Sequence, residues 1–140
     1  MLDKNRILVK LDEIGGYLSE LEEIAPDSFS EYKSSIEKRR ACERLLQIAI
    51  ESVVDISQSI VKGMLLGMPK DEDSIFETLA KKNLITENMA GTLRDMKNFR
   101  NILVHRYGVV DDAKVFTAMK ARILDFEEFK KVVLEIVKAS

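Results

Sequence analysis

Through nearly the whole of this 140-residue chain, apolar side chains recur three and four positions apart, and no stretch alternates with the period of a strand. A helix brings residues i, i+3 and i+4 to one side, so this spacing commits the chain to helices that each bury one face. Six Gly and two Pro are too few turn-formers for a sandwich or barrel of many short strands. Hydrophobic residues make up 46% and charged residues 33%, which permits both a core and a hydrated surface and argues against disorder. The expectation is an all-α chain forming a single antiparallel bundle of four to five helices, with residues 1–140 as one helical domain.

Leu8, Leu11, Ile14, Leu18 and Leu21 mark a first helix. It should end near Ala25-Pro26, because the residue before Pro is biased out of the helical region. Gly15 and Gly16 each cost that helix about 1 kcal/mol relative to Ala, so they signal either a close packing contact or a weak point. Asp27 and Ser28 read as caps for a long second helix from about Phe29 to Leu66, with room for a bend, closed by Gly67-Met68-Pro69. Its apolar stripe is Ile36, Leu45, Ile48, Ala49, Val53, Ile56 and Ile60, and Arg40, Arg44, Gln47, Glu51 and Asp55 form a polar row. Ser74 with Glu77 has the pattern of a capping box for a short third helix ending by Asn83. Thr86 is a natural cap for a fourth, running from Glu87 to Tyr107 before Gly108. Asp111 and Asp112 open a last helix with Val115, Met119, Ile123, Phe126, Phe129, Val133 and Ile136 on its apolar side.

Charge and rare residues narrow the chemistry. With 22 Lys and Arg against 24 Asp and Glu, the formal charge of −2 offers no global field for nucleic acid or anionic membrane. One Cys rules out an intramolecular disulfide, and one Cys with one His cannot build the usual zinc sites within one chain. No cofactor is expected. The N-terminal segment lacks the apolar region of a secretory signal, and no stretch approaches the ~18 apolar residues of a membrane span, so the expected location is cytoplasmic. Gly63-Met64-Leu65-Leu66-Gly67 lacks the Lys-Ser or Lys-Thr of a phosphate loop. Cys42 reads as a packing residue, and Asp71-Glu72-Asp73 as an acidic loop able to hold a cation, without the spacing of an EF-hand.

The fourth helix concentrates the remaining signal. At about 100° per residue, Met89, Met96, Phe99, Ile102 and Leu103 fall in one apolar sector expected to face the core. Arg94, Lys97, Arg100, Asn101 and His105 gather in a second arc of roughly 140°, with Val104 among them. Singly, Arg94 and Lys97 are ordinary surface charges, and a lone His is more often structural than catalytic. Together, Arg100, Asn101 and His105 offer a phosphate-binding fork, an amide and a group that moves protons near neutral pH, which suits phosphoryl transfer on RNA. Two residues five apart on one helix diverge by about 140°, so a two-fold pairing of this helix would aim Arg100 and His105 into one cleft better than a single copy can.

The stretch Arg100-Asn101-Ile102-Leu103-Val104-His105-Arg106-Tyr107 resembles the signature of HEPN-domain toxins: an Arg, four residues, a His, one residue and a Tyr. Leu93, Met96 and Phe99 resemble the family's approach to that motif, and Val109-Val110-Asp111 its exit. Arg39 to Glu51 is similar to the long second helix of the HepT-like branch. The resemblance implies a metal-independent endoribonuclease, homodimeric at the motif, and the toxin of a type II toxin–antitoxin pair. It implies Arg100 and His105 as the catalytic pair; Asn101, Lys97 and Arg94, which the helix arithmetic places on the same strip, are candidate RNA-binding residues beside them. It also implies a minimal nucleotidyltransferase antitoxin, within a larger hetero-oligomer or not, that transfers AMP to the motif Tyr, here Tyr107. No role for Glu51 or Asp55 comes with the motif. The alternatives are a non-catalytic nucleotide- or RNA-binding or partner-docking module, and a plain helical adaptor. Nothing in the sequence encodes which RNA is cut, since three Tyr and six Phe supply no evident stacking platform.

Overall fold

The computed structural model describes residues 1–105 and 110–140. Their order is α1 (Lys4–Ile24), α2 (Phe29–Ser34), α3 (Ile36–Gly63), α4 (Glu72–Lys81), α5 (Glu87–His105) and α6 (Asp112–Ala139). The all-helical expectation holds, with six helices among the described residues rather than four or five because the second helix is divided. Ser35 is extended at φ −116° and ψ 106°, and its side chain accepts from the Lys38 amide, so it ends α2 and caps α3. Serine competes with the backbone for hydrogen bonds, which makes it a better cap than helix interior. α3 also stops earlier than expected, at Gly63, and Leu66 lies beyond it.

Caps elsewhere follow the sequence with one shift. Ser28 accepts from Glu31 N, Thr86 Oγ1 from Met89 N at 3.0 Å, and Asp111 Oδ1 from Ala113 N at 3.0 Å. α4 begins three residues before the expected start. Asp71 is its cap, and Ser74 is the third helical residue of a box in which Ser74 N donates to Asp71 Oδ1 at 2.8 Å and Asp71 N to Ser74 Oγ at 3.1 Å. α1 ends where Pro26 requires, but its buried face is Ile7, Leu11, Ile14 and Leu21, with Leu8 turned outward. Among the described residues nothing lies within 4 Å of a Cβ placed on Gly15 or Gly16, so neither serves a close packing contact with them. Gly63 does: a Cβ there would stand 3.0 Å from Leu2 Cα and 3.1 Å from Met1 O.

α3 is the axis of the bundle and packs against each of the other helices. Of its expected stripe, Ala49, Val53, Ile56 and Ile60 are buried, Leu45 and Ile48 are half-buried, and Ile36 is exposed. The larger core joins that stripe to Ile7, Leu11 and Ile14 of α1, Phe76 and Leu79 of α4, Met89, Leu93 and Met96 of α5, and Phe126, Phe129, Val133 and Ile136 of α6. A smaller core of Leu21, Tyr32, Cys42, Leu46, Leu103, Val115 and Met119 sits where α5 ends and α6 begins. Arg39 bridges to Asp112 at 3.7 Å, tying α3 to the start of α6 beside that core.

Cys42 is fully buried there, as a packing residue should be. Burial, reinforced by the neighbouring Glu43 charge, pushes its thiol up to about 11. The same burial, again with Glu43, raises the Tyr32 phenol above its ordinary value. Both groups hold their protons more tightly folded than unfolded: the contribution of Cys42 is full below the ordinary thiol range and is lost as pH rises toward 11, and that of Tyr32 is lost only above the ordinary phenol range. Urea midpoints should therefore fall between about pH 8.5 and 11, and Cys42→Ser should flatten part of that fall. A midpoint unchanged across this window would contradict the assignment.

Candidate active site on the fifth helix

Which way α5 faces is set by Met89, Ala90, Leu93, Met96 and Leu103, its buried residues. They wedge it against α3 and α4. This buried face is rotated from the expected sector: Phe99 is only half-buried and Ile102 is 44% exposed, whereas Ala90 and Leu93 are inside. The rotation carries part of the cationic arc inward. Arg100 and Lys97 are not on the side opposite the core but at its margin, with side chains 13% and 12% exposed.

Both cations are met by the first turn of α4. The Arg100 guanidinium donates through Nη2 to the Glu72 carboxylate and through Nε to Asn101 Oδ1 at 2.9 Å. Lys97 Nζ stands 2.8 Å from Asp73 Oδ1. The acidic segment read from the sequence as a cation-holding loop thus opens a helix, and the cations it holds are side chains of α5. Among the described residues no group of three or more His, Cys, Asp and Glu side chains is arranged to hold a metal ion.

The remaining candidates divide. Asn101 is half-buried beside Arg100, and His105 is exposed as the last residue of α5. Val104, one position before it, leaves 43% of its apolar surface exposed. Arg94 is half-buried two turns earlier, with no ion-pair partner among the described residues. Tyr107 and Gly108 lie outside the described residues. On α3, Glu51 accepts from Gln47 Nε2 at 2.8 Å, while Asp55 faces Lys10 of α1 at 3.4 Å and lines a cavity of about 410 Å³ with Met1, Asp3 and Arg6. Asp55 therefore stands apart from the Arg100 constellation. Sequence reasoning read Glu72 and Asp73 as part of a cation-holding loop and missed their pairing with Arg100 and Lys97, although two acids side by side and two cations three apart on a helix were the available signal.

The arrangement can bind an anion and move a proton. A guanidinium held along one edge keeps its other donors for phosphate oxygens, and an exposed imidazole on the next turn can give or take a proton. A helical bundle that offers this set from the end of one helix is a setting for phosphodiester chemistry.

The chain belongs to the HepT-like ribonuclease family, whose model matches residues 14–133. It is 32% identical over 113 residues to the tRNA nuclease HepT of Aphanizomenon flos-aquae, covering 81% of this chain and 77% of that one. It is 28% identical over 133 residues to the mRNA nuclease HepT of Shewanella oneidensis, covering 95% and 96%. Among solved structures it is similar to the tri-AMPylated Shewanella oneidensis HEPN toxin in complex with MNT antitoxin, with a TM-score of 0.87, 28% identity and coverage of 96% and 99%. No helix among the described residues is long and apolar enough to cross a membrane.

Proposed function

We propose that this chain is the toxin of a type II toxin–antitoxin pair and an endoribonuclease that cleaves RNA by metal-independent acid–base catalysis. The observation that carries the reading is the pairing of a clamped Arg100 with an exposed His105 on the last turns of α5. Its support from relatives is that two proteins of similar sequence are named as RNA nucleases and one of similar structure is a toxin bound to MNT antitoxin.

In this reading the ribose 2′-oxygen attacks the neighbouring phosphorus as its proton passes to an imidazole. The P–O5′ bond breaks, and the departing 5′-oxygen receives a proton. The products are a 2′,3′-cyclic phosphate and a 5′-hydroxyl. Arg100 stabilises the charge that accumulates on the phosphorane oxygens. A homodimer paired along α5 supplies two copies of His105, one for each proton transfer, and the exposed Val104 gives that pairing an apolar contact. Asn101 steadies the guanidinium, Arg94 extends the positive surface toward flanking phosphates, and Lys97 contributes to it less because Asp73 is paired with it, so affinity falls with salt. The antitoxin is a minimal nucleotidyltransferase that silences the enzyme by adding AMP to Tyr107, placing a bulky anion in competition with RNA for Arg100.

Purified protein should cut RNA in EDTA and leave 2′,3′-cyclic ends, with Arg100→Ala and His105→Ala each losing about 100-fold or more in rate. Equal cleavage by wild type and both variants sinks the assignment. Val104→Asp should shift the species seen by light scattering from dimer to monomer, and an undisturbed dimer would move the interface away from α5. Co-expression with an adjacent nucleotidyltransferase should add one or more AMP groups to Tyr107 by mass spectrometry, and modification found only at other residues would refute that part.

A further inference from the structure

Glu72 belongs to no part of the signature, yet its carboxylate is the ion-pair partner of Arg100 among the described residues. The two donors that Arg100 commits, Nε to Asn101 and Nη2 to Glu72, share one edge of the planar guanidinium. The opposite edge, formed by Nη1 and the second Nη2 hydrogen, has no partner among the described residues and matches the fork that binds two phosphate oxygens. Glu72 is itself held firmly. It is the first residue of α4, and the Asp71–Ser74 box around it is closed by four short bonds, including Lys70 N to Ser74 Oγ at 2.9 Å.

We infer that Glu72 is a positioning residue for RNA cleavage, working through Arg100: it fixes the guanidinium along one edge so that the other edge meets the scissile phosphate. This rests on the ribonuclease reading above. The placement has a characteristic kinetic signature. A carboxylate beside the phosphate site repels RNA, so Glu72 opposes substrate binding while it favours the transition state through orientation. Its removal should lower kcat without raising KM, whereas general loosening of the fold lowers kcat and raises KM together.

The test compares kcat and KM for cleavage of one RNA by the full chain as wild type, Arg100→Ala, Glu72→Ala and Glu72→Gln. Glu72→Ala should lose about 10- to 100-fold in kcat, with KM unchanged or lower. Glu72→Gln keeps an acceptor oxygen and should recover a clear part of that loss. Three results would overturn the inference: a kcat for Glu72→Ala within about two-fold of wild type; a faster Glu72→Ala, which would make Glu72 a mask on Arg100; or a joint fall in kcat and rise in KM that Gln does not relieve. Should Glu72→Ala lose its helical circular dichroism, Glu72→Asp takes its place. It keeps the charge but withdraws the carboxylate by one methylene, so a lower kcat at constant KM supports the inference and an unchanged kcat removes it. The parallel arms separate the two readings: a wild type that cuts nothing ends the ribonuclease assignment and the role of Glu72 with it. Cleavage lost in Arg100→Ala but kept in Glu72→Ala ends the role of Glu72 alone.

Discussion

Burying a cation without partners costs several kcal/mol by rough reckoning, so a guanidinium that keeps only 13% of its side chain exposed must be met by acceptors. Arg100 is met by Glu72 and Asn101, and much of the arrangement around it follows from that need. α4 must begin where it does for Glu72 to reach α5, and the Asp71–Ser74 box sets that beginning. Lys97 repeats the device one turn earlier with Asp73, so two adjacent ion pairs stitch α4 to the polar margin of α5. Neither pair is fully desolvated, since the two carboxylates keep 37% and 45% of their surface, and their value lies more in orientation than in stability.

The bundle supports this margin from beneath. α3 touches every other helix and gives α5 a continuous apolar floor from Met89 to Met96. A second, smaller core around Tyr32, Cys42 and Leu46 receives Leu103 and so holds the last turn of α5, the turn that carries His105. The break at Ser35 lets α2 fold away from the axis of α3 and bring Tyr32 into that core, which one uninterrupted helix could not do. The division of the second helix therefore bears on the site, because it builds the packing under the end of α5.

Local chemistry was the most legible part of the sequence. Ser28, Thr86 and Asp111 cap where they were expected to, because a cap needs only a short polar side chain and the amides two or three residues ahead. The apolar spacing of α6 also carried over, with Ile123 alone only half-buried. Errors appeared where one residue could serve two neighbouring roles. Ser74 is a good cap and an equally good third residue of a box, and only the competing Asp71 decides between them. Ile7 and Leu8 are equally apolar, and the rotation of α1 against α3 sends one inward and the other out. The acidic segment at the start of α4 was recognised as a place for cations, but the cations proved to be side chains more than twenty positions away in sequence.

Periodicity, capping residues and the motif spacing on one helix are short-range properties, so the sequence by itself determined an all-helical chain and the proximity of Arg100, Asn101 and His105 along α5. It could not determine how far α5 turns about its own axis, because that angle depends on how side chains from α3 and α4 interlock with it. Tertiary packing settled the angle by burying Ala90 and Leu93 and leaving Ile102 in solvent. That rotation drew Arg100 from the open surface to the edge of the core, within reach of Glu72, and converted a strip of positive charge into a clamped donor beside an exposed imidazole.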